Sequence, residues 1–293
     1  MKEIVVISGK GGTGKTSITA SFAVLGGKNV VVADCDVDAS NMHLLLDPDF
    51  EEKEDFYSGE TAIIKKNDCT KCGSCIDVCR FDAIEIIDGN YNVNELNCEG
   101  CGYCARVCDA EAIINKACRV GSWYISNIST GSIMVHAKLG IGADNSGKLV
   151  AKVKNEAKNI AEEETKDYVI VDGSPGVGCP VVSSISGAKY VVIVTEPTVS
   201  GVHDLKRVYD LVKKFKIPAG CIINKFDINI ENTNNILSYL KSENITHLSN
   251  IPYDEVFIEA AVSGQSIAEY EGDSDIVELI NNSWNKIKEI VKK

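Results

Sequence analysis

An apolar, β-branched run, Glu3-Ile4-Val5-Val6-Ile7, leads into Gly9-Lys10-Gly11-Gly12-Thr13-Gly14-Lys15-Thr16 and then into a helical pattern over 15–26. A strand, a glycine-rich loop and a helix in that order form a cradle for phosphate. The glycines let successive N–H groups turn inward on anionic oxygens, and the helix N-terminus adds its positive end. Such a unit belongs in a parallel sheet with helices packed on it, and the rest of the chain supplies one. Near-continuous apolar runs at 3–8, 29–33, 167–172, 189–195, 219–224 and 246–251 read as strands covered on both faces. Helical patterns at 15–26, 148–163, 202–216, 232–243, 255–263 and 275–291 fall between and after them. The expected fold class is α/β, with a doubly wound, mostly parallel sheet.

That rhythm breaks between about 61 and 116, where the spacing of cysteines takes over. The stretch is a self-repeat. Cys69, Cys72, Cys75 and Cys79 are followed by Ala83-Ile84, and Cys98, Cys101, Cys104 and Cys108 by Ala112-Ile113. Two short units like these predict a small, pseudo-symmetric α+β domain at 61–116, inserted into a larger domain formed by 1–60 and 117–293. Residues 118–138 are β-rich. No apolar run approaches the length of a membrane span, and the first strand is too short for the core of a secretory signal. A cytoplasmic location is therefore expected, where thiols stay reduced. The twelve cysteines are then better read as metal ligands than as disulfides.

Each half of the repeat has C-x₂-C-x₂-C-x₃-C spacing, which resembles the two-cluster ferredoxins of bacteria. Three closely spaced thiolates on a tight loop bind three corners of an iron–sulfur cube. Gly73 and Gly102 relieve crowding there. The fourth cysteine, expected on the following helix, serves the other cluster in that pattern. Cys69, Cys72, Cys75 and Cys108 are thus assigned to one [4Fe–4S] cluster, and Cys98, Cys101, Cys104 and Cys79 to a second. Paired zinc sites are the alternative, although zinc usually takes two ligands from each of two segments. The ferredoxin pattern places Pro after each fourth cysteine. Arg80 and Asp109 stand there instead, which alters the surroundings of the clusters and not their ligands.

In the glycine-rich loop, Gly11, Gly12, Thr13, Gly14, Lys15, Thr16 and Ser17 are the nucleotide-binding candidates. Lys15 is placed to reach β- and γ-phosphates and the Thr16 hydroxyl to ligate Mg²⁺. Lys10, a second lysine in this loop, makes it resemble the deviant Walker A loop of the MinD/ParA/Mrp and nitrogenase iron-protein ATPases. That resemblance covers 1–60 and 117–293. It implies ATP and Mg²⁺ as ligands and a homodimer formed with ATP, in which Lys10 crosses to the partner subunit's nucleotide. Asp36, in Ala33-Asp34-Cys35-Asp36, would orient the attacking water, and Asp34 would support Mg²⁺. Asp172, ending Val169-Ile170-Val171-Asp172, would hold Mg²⁺ through water, and Gly173-Ser174-Pro175-Gly176 would be the second switch. Asn224 would read the purine, and Pro252 and Tyr253, with Asp254, would close over the base. Lys10, Lys15 and Asp36 are the catalytic candidates.

Other features point less sharply. Cys35, Cys118 and Cys221 sit in or beside apolar strands, as small buried residues do. Cys179 lies seven residues after Asp172, near where the nitrogenase iron protein has a cluster ligand. It is either that or a structural cysteine beside the switch. His43, His136, His203 and His247 form no ligand spacing. In the last segment, Ile276 to Lys293, Ile276, Ile280, Trp284, Ile287 and Val291 share one face, and Lys286, Lys288, Lys292 and Lys293 lie near its end. That is a packing helix or, as in MinD, a membrane-binding one, packing being preferred. The net charge of −12 argues against a general nucleic-acid binder.

The combination resembles MinD-superfamily ATPases with an inserted ferredoxin domain, and three functions compete. One is an ATPase assisting iron–sulfur or metallocofactor delivery to a client metalloprotein. Another is an ATP-gated electron donor to a redox partner. The third is a MinD/ParA-like spatial organiser, with the clusters as sensors or structural elements. Coupling of hydrolysis to redox chemistry or cluster delivery is the preferred reading.

Overall fold

The computed structural model describes residues 1–140, 146–270 and 274–292. In chain order its elements are β1 (Lys2–Ser8), α1 (Lys15–Gly26), β2 (Val30–Asp34), α2 (His43–Leu46), β3 (Glu52–Ile64), α3 (Ser74–Val78), β4 (Ile84–Ile87), β5 (Asn90–Val93), α4 (Tyr103–Arg106), β6 (Ile113–Asn127) and β7 (Ile133–Leu139). They continue with α5 (Ser146–Glu163), β8 (Tyr168–Asp172), α6 (Cys179–Ile185), β9 (Tyr190–Thr195), α7 (Val199–Lys214), β10 (Ala219–Asn224), α8 (Ile230–Ser242), β11 (Thr246–Ile251), α9 (Val256–Val262), α10 (Ile267–Tyr270) and α11 (Asp275–Lys292).

The strands form a nine-stranded sheet in the order β11-β10-β9-β1-β8-β2-β7-β6-β3. From β11 to β7 every pairing is parallel. Ile4, Val5, Val6 and Ile7 of β1 are fully buried, as are the Val and Ile residues of β2, β8 and β9. Both faces are covered, which is why these strands read as unbroken apolar runs. The chain leaves β1 with β8 on one side and β9 on the other. The reversal of strand order opens a crevice at the carboxyl ends, the usual ligand position in such sheets. Register sets the chemistry there. Asp34 of β2 pairs with Asp172 of β8, and Val6 of β1 pairs with Asp172 from the other side.

On one face α1 and α11 cover the sheet, and the Phe22 and Trp284 rings stack at 5.5 Å. Ile276, Ile280, Trp284, Ile287 and Val291 all lie in this core. The apolar face of α11 is therefore spent on packing, as the preferred reading expects. Among the described residues no helix is long and apolar enough to cross a membrane. Against α5, the buried Lys154 ammonium pairs with Glu3 at 2.9 Å and donates to the Ser184 carbonyl at 2.8 Å. A buried charge needs such partners.

The chain divides into two units. One comprises Met1–Glu54, Ser122–Leu139 and the described part of Ser146–Lys293; the other comprises Asp55–Gly121 with Gly140. The second unit has its own small core of Ala62, Ile64, Cys75, Ile84 and Ile113. Its β4–β5 hairpin is antiparallel, with Ile84 opposite Val93. The sequence pattern names no strand at β3 and reads the β6 region only as β-rich from 118. Strand β3 opens with four exposed charged residues, Glu52 to Asp55, so hydrophobic patterning cannot mark it. Helix α7 starts at Val199 rather than 202, because the Thr198 hydroxyl caps it by accepting from the Gly201 N–H at 3.0 Å.

Candidate functional site

Between β1 and α1 the loop turns on glycines in the left-handed region, Gly12 at φ 79° and Gly14 at φ 87°. Gly14 is the N-cap of α1 and offers no side-chain bond, and the first turn carries no acidic residue. A Cβ on Gly14 would lie 2.4 Å from Asn224 Nδ2. The backbone is thus held tightly, and among the described residues no N-cap side chain bonds the N–H groups at the start of α1.

Lys15 is buried where the carboxyl ends of β2 and β8 meet the loop. Its Nζ lies 2.9 Å from Asp172 Oδ2 and 3.4 Å from Asp36 Oδ2. Burial lowers its pKa, but Asp172 and then Asp36 outweigh that and hold it above the ordinary lysine value. The Thr16 hydroxyl donates to Asp172 Oδ2 at 2.7 Å, and the Thr19 hydroxyl to Asp172 Oδ1 at 2.9 Å. Asp34 is fully buried beside Asp172. It accepts from the Ser40 hydroxyl at 2.8 Å and the Asp36 N–H at 3.1 Å. Burial, and then the Asp172 carboxylate, pushes Asp34 up to about 7. Burial also raises Asp36, against the pull of Lys15. Asp172 and Asp36 face Lys15, and the Thr16, Thr19 and Ser40 hydroxyls bond to Asp172 and Asp34. Among the described residues no three carboxylates are already grouped as a metal site; Thr16, Asp172 and Asp34 are the hard oxygens that would hold Mg²⁺.

Lys10 points away from this centre. Its Nζ lies 2.6 Å from Glu196 Oε1 and donates to Ser200 Oγ at 2.9 Å and Thr198 Oγ1 at 3.2 Å. Lys225 Nζ lies 3.4 Å from Glu196 Oε2 and donates to the Gly12 carbonyl at 3.3 Å. Glu196, Thr198, Ser200 and Lys225 are absent from the sequence-derived site. The available signal was position: Glu196 directly follows the fully buried strand β9, at the same end of the sheet as Asp172 and Asn224.

Beside the loop lies a cavity of about 420 Å³ lined by Gly12, Gly14, Ser17, Asn224, Pro252 and Tyr253, with α9 as an apolar wall. This brings the predicted base-side residues together. Asn224 donates to the Thr13 carbonyl at 2.9 Å, so one of its amide hydrogens steadies the loop. Asp227 accepts from the Tyr253 N–H at 2.7 Å and fixes the segment that follows β11. Cys179 is exposed at the start of α6.

All twelve cysteines are free of disulfides. In the second unit, Cys69, Cys79, Cys98, Cys104 and Cys108 pack around the core that contains Cys75. Cys79, Cys98, Cys101 and Cys104 line one small, largely apolar cavity. Three of them come from one repeat and Cys79 from the other, the donor set assigned to the second cluster. The thiols fit that group in kind and grouping. Among the described residues, however, no three His, Cys, Asp or Glu side chains are gathered closely enough to hold a single metal ion. One detail differs from expectation. Cys75 and Cys104 lie inside α3 and α4, whereas Cys79 and Cys108 follow the last helical residues. These helices are a single turn long, so each fourth cysteine falls just past the end. Burial raises the pKa of Cys75 and of Cys104.

The family described as CobQ/CobB/MinD/ParA nucleotide binding domain matches residues 4–267. An uncharacterized protein of Methanocaldococcus jannaschii is 35% identical over 291 residues, covering 99% of this chain and 97% of that protein. An iron–sulfur cluster carrier protein of Pyrococcus horikoshii is 27% identical over 161 residues, 49% of this chain and 54% of that protein. Among solved structures, septum site-determining protein MinD of Pyrococcus horikoshii, complexed with Mg-ADP, superposes with a TM-score of 0.60 at 20% identity. It covers 99% of this chain and 96% of that one. At that identity the likeness establishes the fold, an α/β architecture around a large, mostly parallel sheet.

Proposed function

This chain belongs to the CobQ/CobB/MinD/ParA nucleotide-binding family, and on that premise we propose that it is an ATP hydrolase whose nucleotide-switched homodimer serves iron–sulfur chemistry carried by residues 61–116. The observation that carries the hydrolase reading is the convergence on Lys15 of Asp172 at 2.9 Å and Asp36 at 3.4 Å, with Thr16 on Asp172. ATP is the substrate. Lys15 binds its β- and γ-phosphates, joined by Lys10 of the partner subunit, and the N–H groups of the loop and of α1 cradle the chain of phosphates. Thr16, Asp172 and Asp34 hold Mg²⁺, which offsets phosphate charge when bound. Asp36 orients a water whose oxygen forms the new bond to the γ-phosphorus. The bond to the bridging oxygen breaks, ADP and inorganic phosphate leave, and the proton of the water is released. Asn224, Pro252 and Tyr253 hold the base.

The cysteines of the second unit hold two [4Fe–4S] clusters, each a one-electron redox centre when bound. Hydrolysis would then gate either electron transfer to a redox partner or delivery of iron–sulfur units to a client metalloprotein. The second purpose draws support from the iron–sulfur carrier relative. A MinD/ParA-like organiser is the other reading, favoured by the superposition with MinD over nearly the whole chain.

An anaerobic redox titration followed by EPR, with and without MgATP, separates these. Two cluster signals, one displaced by tens of millivolts with MgATP, support the gated donor; about 59 mV is tenfold for one electron. Two signals unmoved by MgATP direct attention to delivery. Stoichiometric zinc, or no iron after anaerobic purification and reconstitution, ends the cluster reading and leaves the organiser.

A further inference from the structure

Lys10 is fully engaged inside its own subunit. An ammonium has three N–H donors. Here they meet Glu196 Oε1 at 2.6 Å, Ser200 Oγ at 2.9 Å and Thr198 Oγ1 at 3.2 Å. These acceptors sit on a stiff segment. Pro197 fixes the turn after β9, the Thr198 hydroxyl caps α7, and the Thr195 hydroxyl donates to the Gly201 carbonyl at 3.2 Å. The Glu196 side chain is 13% exposed. Its second oxygen faces Lys225, which also holds the Gly12 carbonyl. One carboxylate thus spans the loop, touching Lys10 directly and Gly12 through Lys225.

We propose that Glu196 is a positioning residue that retains Lys10 within its own subunit, and that release of Lys10 from it sets the nucleotide concentration at which two copies associate. The inference rests on the reading above in which Lys10 serves the partner subunit's nucleotide. The chemistry is competition between anions. Glu196 occupies the ammonium until a γ-phosphate offers more negative charge, so a diphosphate is a poorer competitor than a triphosphate. The contact thereby discriminates between the two nucleotides without touching either. Retention by one charge-assisted bond weights the dimerisation midpoint by about tenfold.

The test is sedimentation velocity of the full chain, purified anaerobically, titrated with Mg²⁺ and the non-hydrolysable β,γ-imido analogue of ATP. Glu196→Gln is expected to dimerise at about tenfold less analogue than wild type, and to form some dimer with MgADP. Ser200→Ala, on the surface, should shift the midpoint in the same direction by less. Lys10→Ala should stay monomeric, and adding Glu196→Gln to it should change nothing. If Lys10→Ala is monomeric but neither single variant moves the midpoint downward, the retention role of Glu196 is overturned and the shared lysine stands. If Lys10→Ala dimerises like wild type, the shared-lysine reading fails and takes this proposal with it. Ser200→Ala keeps the test decisive if Glu196→Gln does not fold.

Discussion

The Ser174 hydroxyl donates a 2.8 Å hydrogen bond to the backbone carbonyl of Cys35. Cys35 lies between Asp34 and Asp36, and Ser174 lies two residues after Asp172, so the bond ties the two acidic loops directly together. The Cys35 N–H completes the link by donating to the Asp172 carbonyl at 2.8 Å. Under the proposed mechanism, a movement of either loop on hydrolysis has to carry the other or break this bond. Ser174→Ala leaves the Cys35 carbonyl without that partner and should cost about 1–2 kcal/mol of stability. The expected functional result is a fall in ATP turnover of about tenfold, with nucleotide affinity changed less than twofold. Thermal melts, steady-state phosphate release and calorimetric titration with the β,γ-imido analogue measure the three quantities. An equal loss of turnover and affinity would count against a loop-coupling role.

His136 gives the fold a predictable acid response. It is buried on β7, with its Nε2 3.0 Å from the Ser126 hydroxyl. Burial, and then His43, pulls it down to about 4, against the opposing charge of Asp49. The unfolded chain titrates near 6.5, so between about 4 and 6.5 it binds more protons than the folded one. Stability must then rise with pH through that window and flatten above it. Denaturant midpoints measured from pH 4 to pH 7.5 should show this rise, and His136→Gln should flatten it. An unchanged slope in the variant would assign the acid response to other groups.

The crossed cluster assignment makes a prediction about pairs of cysteines. Cys79 shares a cavity with Cys98, Cys101 and Cys104 of the other repeat. Cys79→Ala combined with Cys98→Ala should damage one cluster and leave about four iron atoms per chain, whereas Cys79→Ala combined with Cys69→Ala should damage both. Iron analysis with EPR distinguishes the two patterns. The reverse outcome would mean that each repeat ligates its own cluster.

Much of the larger unit was legible because its strands are buried on both faces. Val30–Asp34, Tyr168–Asp172, Tyr190–Thr195 and Ala219–Asn224 announce themselves as apolar runs, and their ends name Asp34, Asp172 and Asn224. What was not legible has physical causes. Strand β3 carries Glu52, Lys53, Glu54 and Asp55 on exposed positions, so it has no hydrophobic signature. The short helices around Cys75 and Cys104 lack the length for periodicity. Nothing local separates Glu196 from any acid before a proline, since its importance comes from Lys10, 186 positions earlier in the chain, and from Lys225 beyond it. Its salt bridges are a property of the folded chain alone.

Helix α1 begins on a glycine that caps nothing, with no acid in its first turn. In most helices a side chain of the same chain closes that end. Under the proposed mechanism the phosphates of the nucleotide are that closing group, so the substrate doubles as a part of the helix's architecture.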